Sequence, residues 1–149
     1  MKPREFKQLY AIPYDIKARK RLIKKLEEKQ AQGPELVADV VKSSRGDGNS
    51  CIIGHATVRG TADSAYTQRE TEIKKLKDKN AKLEAAYLEG LQIVESCDDF
   101  ILRAAISGIC ILGKKPQDVA VELMEMGCDM DADAIRRRVD RWVEQNVSK

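Results

Sequence analysis

The sequence predicts an all-α protein: a long helical coiled-coil hairpin followed by a three-helix unit of the helix-turn-helix kind. Apolar residues recur at alternating intervals of three and four along two extended stretches, the signature of a coiled-coil seam. Aromatic residues supply only 5% of the 149 positions and charged residues 34%, which favours helices with narrow apolar stripes over a thick globular centre. Glycine and proline are sparse except in one region, where four of the nine glycines fall between Ser43 and Thr61.

Four segments follow from these signals. Residues 1–42 form a basic N-terminal helical arm, 43–61 a Gly-rich linker, 62–97 a coiled-coil helix, and 98–149 a helix-turn-helix domain. In the arm, Leu9, Ile12, Ile16, Arg19, Ile23, Leu26 and Gln30 hold a strict 3-4 spacing with one charged entry at Arg19. Pro13 falls inside this seam, where it either kinks the helix or begins a new one. Gly33-Pro34 ends the segment, and "ELVADVV" adds a short helix or strand. The stretch "SSRGDGNSCIIGHATVRGT" reads as a loop; its structured alternative is a small hairpin turning about Gly54-His55.

The second seam is Tyr66, Arg69, Ile73, Leu76, Asn80, Leu83, Tyr87, Gly90, Val94 and Cys97. Asn80 occupies an a-type position, where a buried amide lowers stability but specifies register by demanding a partner. Two such seams pair within one chain as an antiparallel hairpin, or between chains as a homodimer; the pattern allows both.

Beyond Ser96, an expected N-cap with Asp98 and Asp99 in the first turn, "DDFILRAAISGICILG" reads as a buried helix ending at Gly113. "PQDVAVELMEMG" follows, with Pro116 in its first turn and Gly127 as its stop. Asp129 or Asp131 then caps a last helix running to about Gln145. Its apolar stripe, Ile135, Val139 and Trp142, is expected to pack on Val119, Ala120 and Leu123. At 100° per residue this turns Arg137 and Arg141 outward and Arg136 and Arg138 to the two flanks. Outward arginines suit base edges in a DNA groove and flanking cations suit phosphates. Arg137 and Arg141 are therefore the expected base contacts, and Arg136, Arg138, Lys114 and Lys115 the expected phosphate contacts. The competing reading is a solvated helix laced with ion pairs, such as Asp133 with Arg137 and Arg136 with Asp140.

Charge is unevenly placed. Residues 1–32 carry 10 Lys/Arg against 4 Asp/Glu, while residues 98–149 carry 8 against 10. Long-range attraction to an anionic partner is thus expected from the arm, unless its cations pair with Glu70, Glu72 and Glu84 of the second helix.

Other chemistry is not indicated. Cys51, Cys97, Cys110 and Cys128 contain no C-x-x-C pair and His55 is the sole histidine, so neither a zinc site nor a disulfide framework is expected. Asp129, Asp131 and Asp133 imitate a calcium loop, but Ala134 stands where glycine is needed. His55 with Asp47, Ser50 and Cys51 lies in an expected loop without a scaffold, and no phosphate-binding glycine motif is present, so no catalysis and no cofactor are expected. The N-terminus has no apolar leader, which points to a cytoplasmic protein; the Asn146-Val147-Ser148 sequon is read as accidental.

In the stretches "REFKQLYAIPYDIKARKRLIKKLEE", "DVVKSS", "ETEIKKLKDKNAKLEAAYLEGLQIVES" and "KKPQDVAVELMEMGCDMDADAIRRRVDRWVE", the chain resembles phage-encoded coiled-coil proteins with a C-terminal sigma-factor-like helix-turn-helix. Late-gene transcriptional regulators of the ArpU and RinA kind are related to that family. The resemblance implies sequence-specific binding of double-stranded DNA, regulation of transcription, and contact with RNA polymerase. Two other functions fit the same architecture: a small terminase subunit binding DNA for packaging, and a coiled-coil interaction module that binds no DNA.

Overall fold

A computed structural model describes residues 1–33, 36–46, 51–61 and 63–147, with side chains for 1–33 and 64–147. Among the described residues there are six α-helices: α1 (Pro3–Phe6), α2 (Ile12–Ala31), α3 (Asp63–Glu95), α4 (Phe100–Ile106), α5 (Pro116–Glu125) and α6 (Ala132–Asn146). The helical class is as expected, with one exception. The strand alternative for "ELVADVV" holds and runs on into the expected linker: β1 (Leu36–Gly46) pairs antiparallel with β2 (Cys51–Thr61), from Leu36↔Thr61 to Gly46↔Cys51.

This corrects both readings of residues 43–61. Gly54 and Gly60 do not mark turns but pair within the ladder, opposite Ser43 and Val37. The reason is that "LVADVV" and "CIIGHATV" are rich in β-branched residues, and a continuous ladder satisfies every second backbone group on each strand, outweighing the entropy that glycine loses. The basic helical arm accordingly ends at Ala31 rather than near 42, where Gly33 turns the chain at φ 80°.

The chain divides into two compact units, residues 1–20 with 78–149, and residues 21–77. In the second, the end of α2 lies antiparallel to the start of α3, with Ile23 and Ile73 buried. Gln30 lies in the seam beside Arg69: its side-chain oxygen accepts from Arg69 Nε at 3.3 Å and its Nε2 donates to the Tyr66 carbonyl at 3.3 Å. Lys77 pairs with Glu27 at 2.6 Å on the flank.

In the first unit a short 3₁₀ turn, Leu9–Ala11, runs directly into α2. Pro13 therefore sits in the first turn, where its missing N–H would have been unpaired anyway. It begins a helix and does not kink one. Leu9 packs onto Gly90 of α3, an approach so close that a Cβ at Gly90 would collide with the leucine. Lys20 reaches Glu84 at 2.9 Å. Every seam residue named from the sequence is buried or half-buried, from Leu9 to Gln30 and from Tyr66 to Cys97.

The main core of this unit joins Phe6, Leu9, Val94 and Cys97 to the C-terminal helices through Leu102, Ile106, Cys110, Val119, Leu123, Ile135, Val139 and Val143. Phe6 is fully buried, its ring 6.3 Å from that of Trp142. Asp99, not Ser96, caps α4: its Oδ1 accepts from the Leu102 N–H at 3.0 Å, whereas the Ser96 hydroxyl donates to the Ile93 carbonyl. A π-turn, Ser107–Ile111, continues α4, with the Leu112 N–H donating to the Ser107 carbonyl. Gly108 in this turn lets α5 approach, since a Cβ there would lie 2.8 Å from Val119 Cγ2.

Candidate nucleic-acid interface

The placement of α6 begins with the end of α5. Gly127 adopts φ 83°, its N–H donates to the Met124 carbonyl, and the Cys128 N–H reaches back to the Leu123 carbonyl at 2.9 Å. These two bonds satisfy carbonyls that the helix end would otherwise leave unpaired, and they reverse the chain at Gly127 as its sequence position predicts. Residues 126–131 then lead to α6, with Asp131 at the N-cap position in extended conformation and Asp133 in the first turn. Asp131 makes no side-chain cap bond.

On α6 the buried positions are Ile135, Val139 and Val143, followed by Val147. The stripe is therefore i, i+4, i+8, rotated slightly from the expected Ile135, Val139 and Trp142; Trp142 is half-buried at its edge. The stripe joins the same core as Val119 and Leu123 of α5, with Ala120 half-buried against it. The rotation is small because 135 and 139 anchor both versions, so the arginines keep the faces assigned to them.

Their surroundings differ sharply. Arg137 and Arg141 are exposed, and among the described residues neither has an ion-pair or hydrogen-bond partner. They stand one turn apart, about 6 Å along the axis. Asp133 and Glu144, also exposed, share this outer side of the helix but pair with neither. The i, i+4 pairing expected of Asp133 with Arg137 does not form.

The expected phosphate contacts are largely engaged elsewhere. Arg138 is folded back: Nη2 donates to Asp99 Oδ2 at 2.6 Å and Nη1 lies 3.8 Å from Met130 Sδ. Its stem also lines a small crevice with Ile101, Met130 and Ile135, so it serves to hold α6 against α4. The expected phosphate contact at Arg138 would have to compete with this ion pair. Lys114 Nζ donates to Glu122 Oε1 at 2.5 Å. Arg136 lies 4.0 Å from Asp140, whose other oxygen is held by Lys7 at 2.7 Å. Lys115, in the N-cap position of α5, is exposed and unpaired among the described residues.

Of the six cations expected to contact DNA, Arg137, Arg141 and Lys115 are thus unpaired among the described residues, with Arg136 loosely held. Acids crowd the neighbouring positions: Asp118 and Glu125 on α5, then Asp129, Asp131 and Asp133, are all exposed. A phosphate backbone would meet repulsion there, and Asp133 and Glu144 also flank Arg137 and Arg141 on the outward side of α6, so what that side offers is two unpaired guanidinium groups and not a net positive surface.

Two relationships were not read from the sequence. Asp99 was expected only as a first-turn acid, and its second role as the partner of Arg138, 39 residues away, leaves no trace in local spacing. The Lys7–Asp140 pair likewise depends on α1 and α6 meeting. Among the described residues no cluster of three or more His, Cys, Asp or Glu could hold a metal ion, and no helix is long and apolar enough to cross a membrane. The side chains of Asp47, Ser50, Cys51 and His55 lie outside the described residues. No family model, curated protein or solved structure matches this chain.

Proposed function

We propose that this protein binds double-stranded DNA through the outward face of α6, in the manner of a transcriptional regulator. The observation that carries the reading is the pair Arg137 and Arg141: exposed, one turn apart, without acidic partners, and projected by a helix whose opposite side is locked into the core. A guanidinium offers a planar fork of donors that matches guanine O6 and N7. Two such forks at this spacing reach adjacent steps of a groove. Lys115 and Arg136 supply backbone contacts at the border of that footprint. Contact with RNA polymerase, and a role in phage-type late transcription, follow from the resemblance described above and are part of the same proposal.

The test is a binding selection on random duplexes followed by titration of the parent and of Arg137→Ala/Arg141→Ala. The reading expects the double variant to keep its helical circular dichroism and lose its preference for the selected sequence. Each lost bidentate contact costs about 1–3 kcal/mol of discrimination. A double variant that discriminates as well as the parent overturns the assignment.

A second reading has one specific observation in its favour. Val121 is 60% and Met124 65% exposed on the outer side of α5, among Asp118 and Glu125. An apolar strip among acids suits a protein partner better than DNA. In that reading the parent binds no duplex even at low salt.

A further inference from the structure

The chain's net charge of +3 does not reside with the arginine helix. Residues 1–20 and 78–149 carry 16 Lys/Arg against 16 Asp/Glu, whereas residues 21–77 carry 11 against 8. The unit that presents α6 is electrically neutral, so long-range attraction to a polyanion originates in the other unit.

There the cations are arranged on helices. Arg21, Lys24, Lys25 and Lys29 of α2 are all exposed, and none has an ion-pair or hydrogen-bond partner among the described residues. The acids that would neutralise them are turned to other uses. Glu27 is taken by Lys77 of α3, and Glu70 and Glu72 are exposed without reaching α2. Glu28 stands one turn from Lys24 yet forms no pair with it. Lys74 and Lys75 of α3 are also exposed and unpaired. Arg21, Lys25 and Lys29, at i, i+4 and i+8, form a stripe about 12 Å long with a cation every turn.

A solvated coiled-coil flank ordinarily alternates charge so that e- and g-type positions pair across the seam. Among the described residues α2 and α3 do so at Lys77 with Glu27 and at Lys20 with Glu84, and neither pair takes up Arg21, Lys24, Lys25 or Lys29. An interfacial membrane helix needs a broad exposed apolar face. Here the apolar seam, Ile23 and Leu26, is covered by α3, which leaves only Leu22, at 43% exposure, among the lysines. What remains is a rigid row of mobile-tipped cations with no apolar anchor, the arrangement that a regularly spaced phosphate backbone neutralises by counterion release.

We propose that the α2 face bearing Arg21, Lys24, Lys25 and Lys29 is a second, sequence-independent DNA contact, which supplies affinity while α6 supplies discrimination. The inference rests on the DNA-binding reading above for its partner, but not on the base contacts assigned to Arg137 and Arg141.

The experiment uses the full chain with all four residues changed to Gln, a good helix former, alongside Arg137→Ala/Arg141→Ala. Each is titrated with a random-sequence duplex and with the selected duplex across a salt series, with circular dichroism as the folding control. The four-fold variant is expected to flatten the slope of log K against log[salt] by about 3 to 4, at roughly 0.9 per phosphate released, with its ratio of selected to random affinity unchanged. The α6 variant is expected to lose that ratio and keep most of the slope. An unchanged slope in the four-fold variant, with the parent binding DNA, overturns this inference and leaves the α6 reading standing. A flattened slope together with an α6 variant indistinguishable from the parent supports the arm and overturns the α6 reading. A parent that binds neither duplex, or that binds vesicles containing phosphatidylserine instead, overturns both.

Discussion

Arg138 and Asp99 meet at 2.6 Å, and the same carboxylate caps α4 through its other oxygen, so one side chain fastens two helices. Removing Asp99 thus removes a cap and an ion pair together. Asp99→Ala is expected to cost about 1–2 kcal/mol, mostly from the cap. Arg138→Ala is expected to cost less than about 1 kcal/mol, because the ion pair is partly exposed. Urea denaturation of both variants and the double variant checks this. Because Arg138 is engaged in this way, Arg138→Ala is also expected to leave the salt slope of DNA binding unchanged.

Arg19 and Asn80 are the polar entries of the two seams within the first unit, and Arg19 Nη2 lies 3.5 Å from Asp15 Oδ2 one turn away. Arg19 Nη1 and Asn80 Oδ1 are both buried without a hydrogen-bond partner. Each unsatisfied group costs stability, while a polar seam position selects one register over its alternatives. Arg19→Leu with Asn80→Leu is expected to raise stability by about 1–4 kcal/mol. The same variant is expected to show additional species of higher mass by light scattering, because a seam whose remaining polar contact is Gln30 with Arg69 distinguishes pairing within the chain from pairing between chains less well. A double variant less stable than the parent would show that these groups are satisfied in solution.

Gly108 is required by space rather than by backbone angle. A methyl group there would press on Val119 at 2.8 Å, inside the contact between the π-turn and α5. Gly108→Ala is expected to cost about 1–3 kcal/mol as an overpacked site. Val119→Ala in the same chain should return part of that loss, as read from the thermal midpoints of the two single variants and the pair.

Cys110 is fully buried, and burial pushes its thiol from 9.0 up to about 11, with Lys7 opposing and Asp140 adding to the rise. The folded chain therefore keeps this proton while the unfolded chain releases it. Stability is unaffected below about pH 9 and falls as pH rises toward 11, by about 3 kcal/mol for this group. Cys110→Ala is expected to show a shallower alkaline decline than the parent, measured as the slope of unfolding free energy between pH 8 and about 11. Parallel slopes for the two proteins would refute the shift.

Much of this molecule is legible in one dimension. The seams of α2 and α3, the stops at Gly33, Gly113 and Gly127, Pro116 at the start of α5 and the outward face of α6 are local consequences of helical period and backbone sterics, which depend on residues three or four apart. The hairpin was obscured because glycine signals both loops and strand interiors, and only the pairing of 36–46 with 51–61 distinguishes them. Which seam partners which, and which arginines stay free, depended on encounters between distant positions: Leu9 with Gly90, Lys7 with Asp140, Asp99 with Arg138. Local periodicity assigns a side chain to a face; only the packed chain decides what that face meets, because ion pairs and close approaches are made across sequence separations that no spacing rule spans.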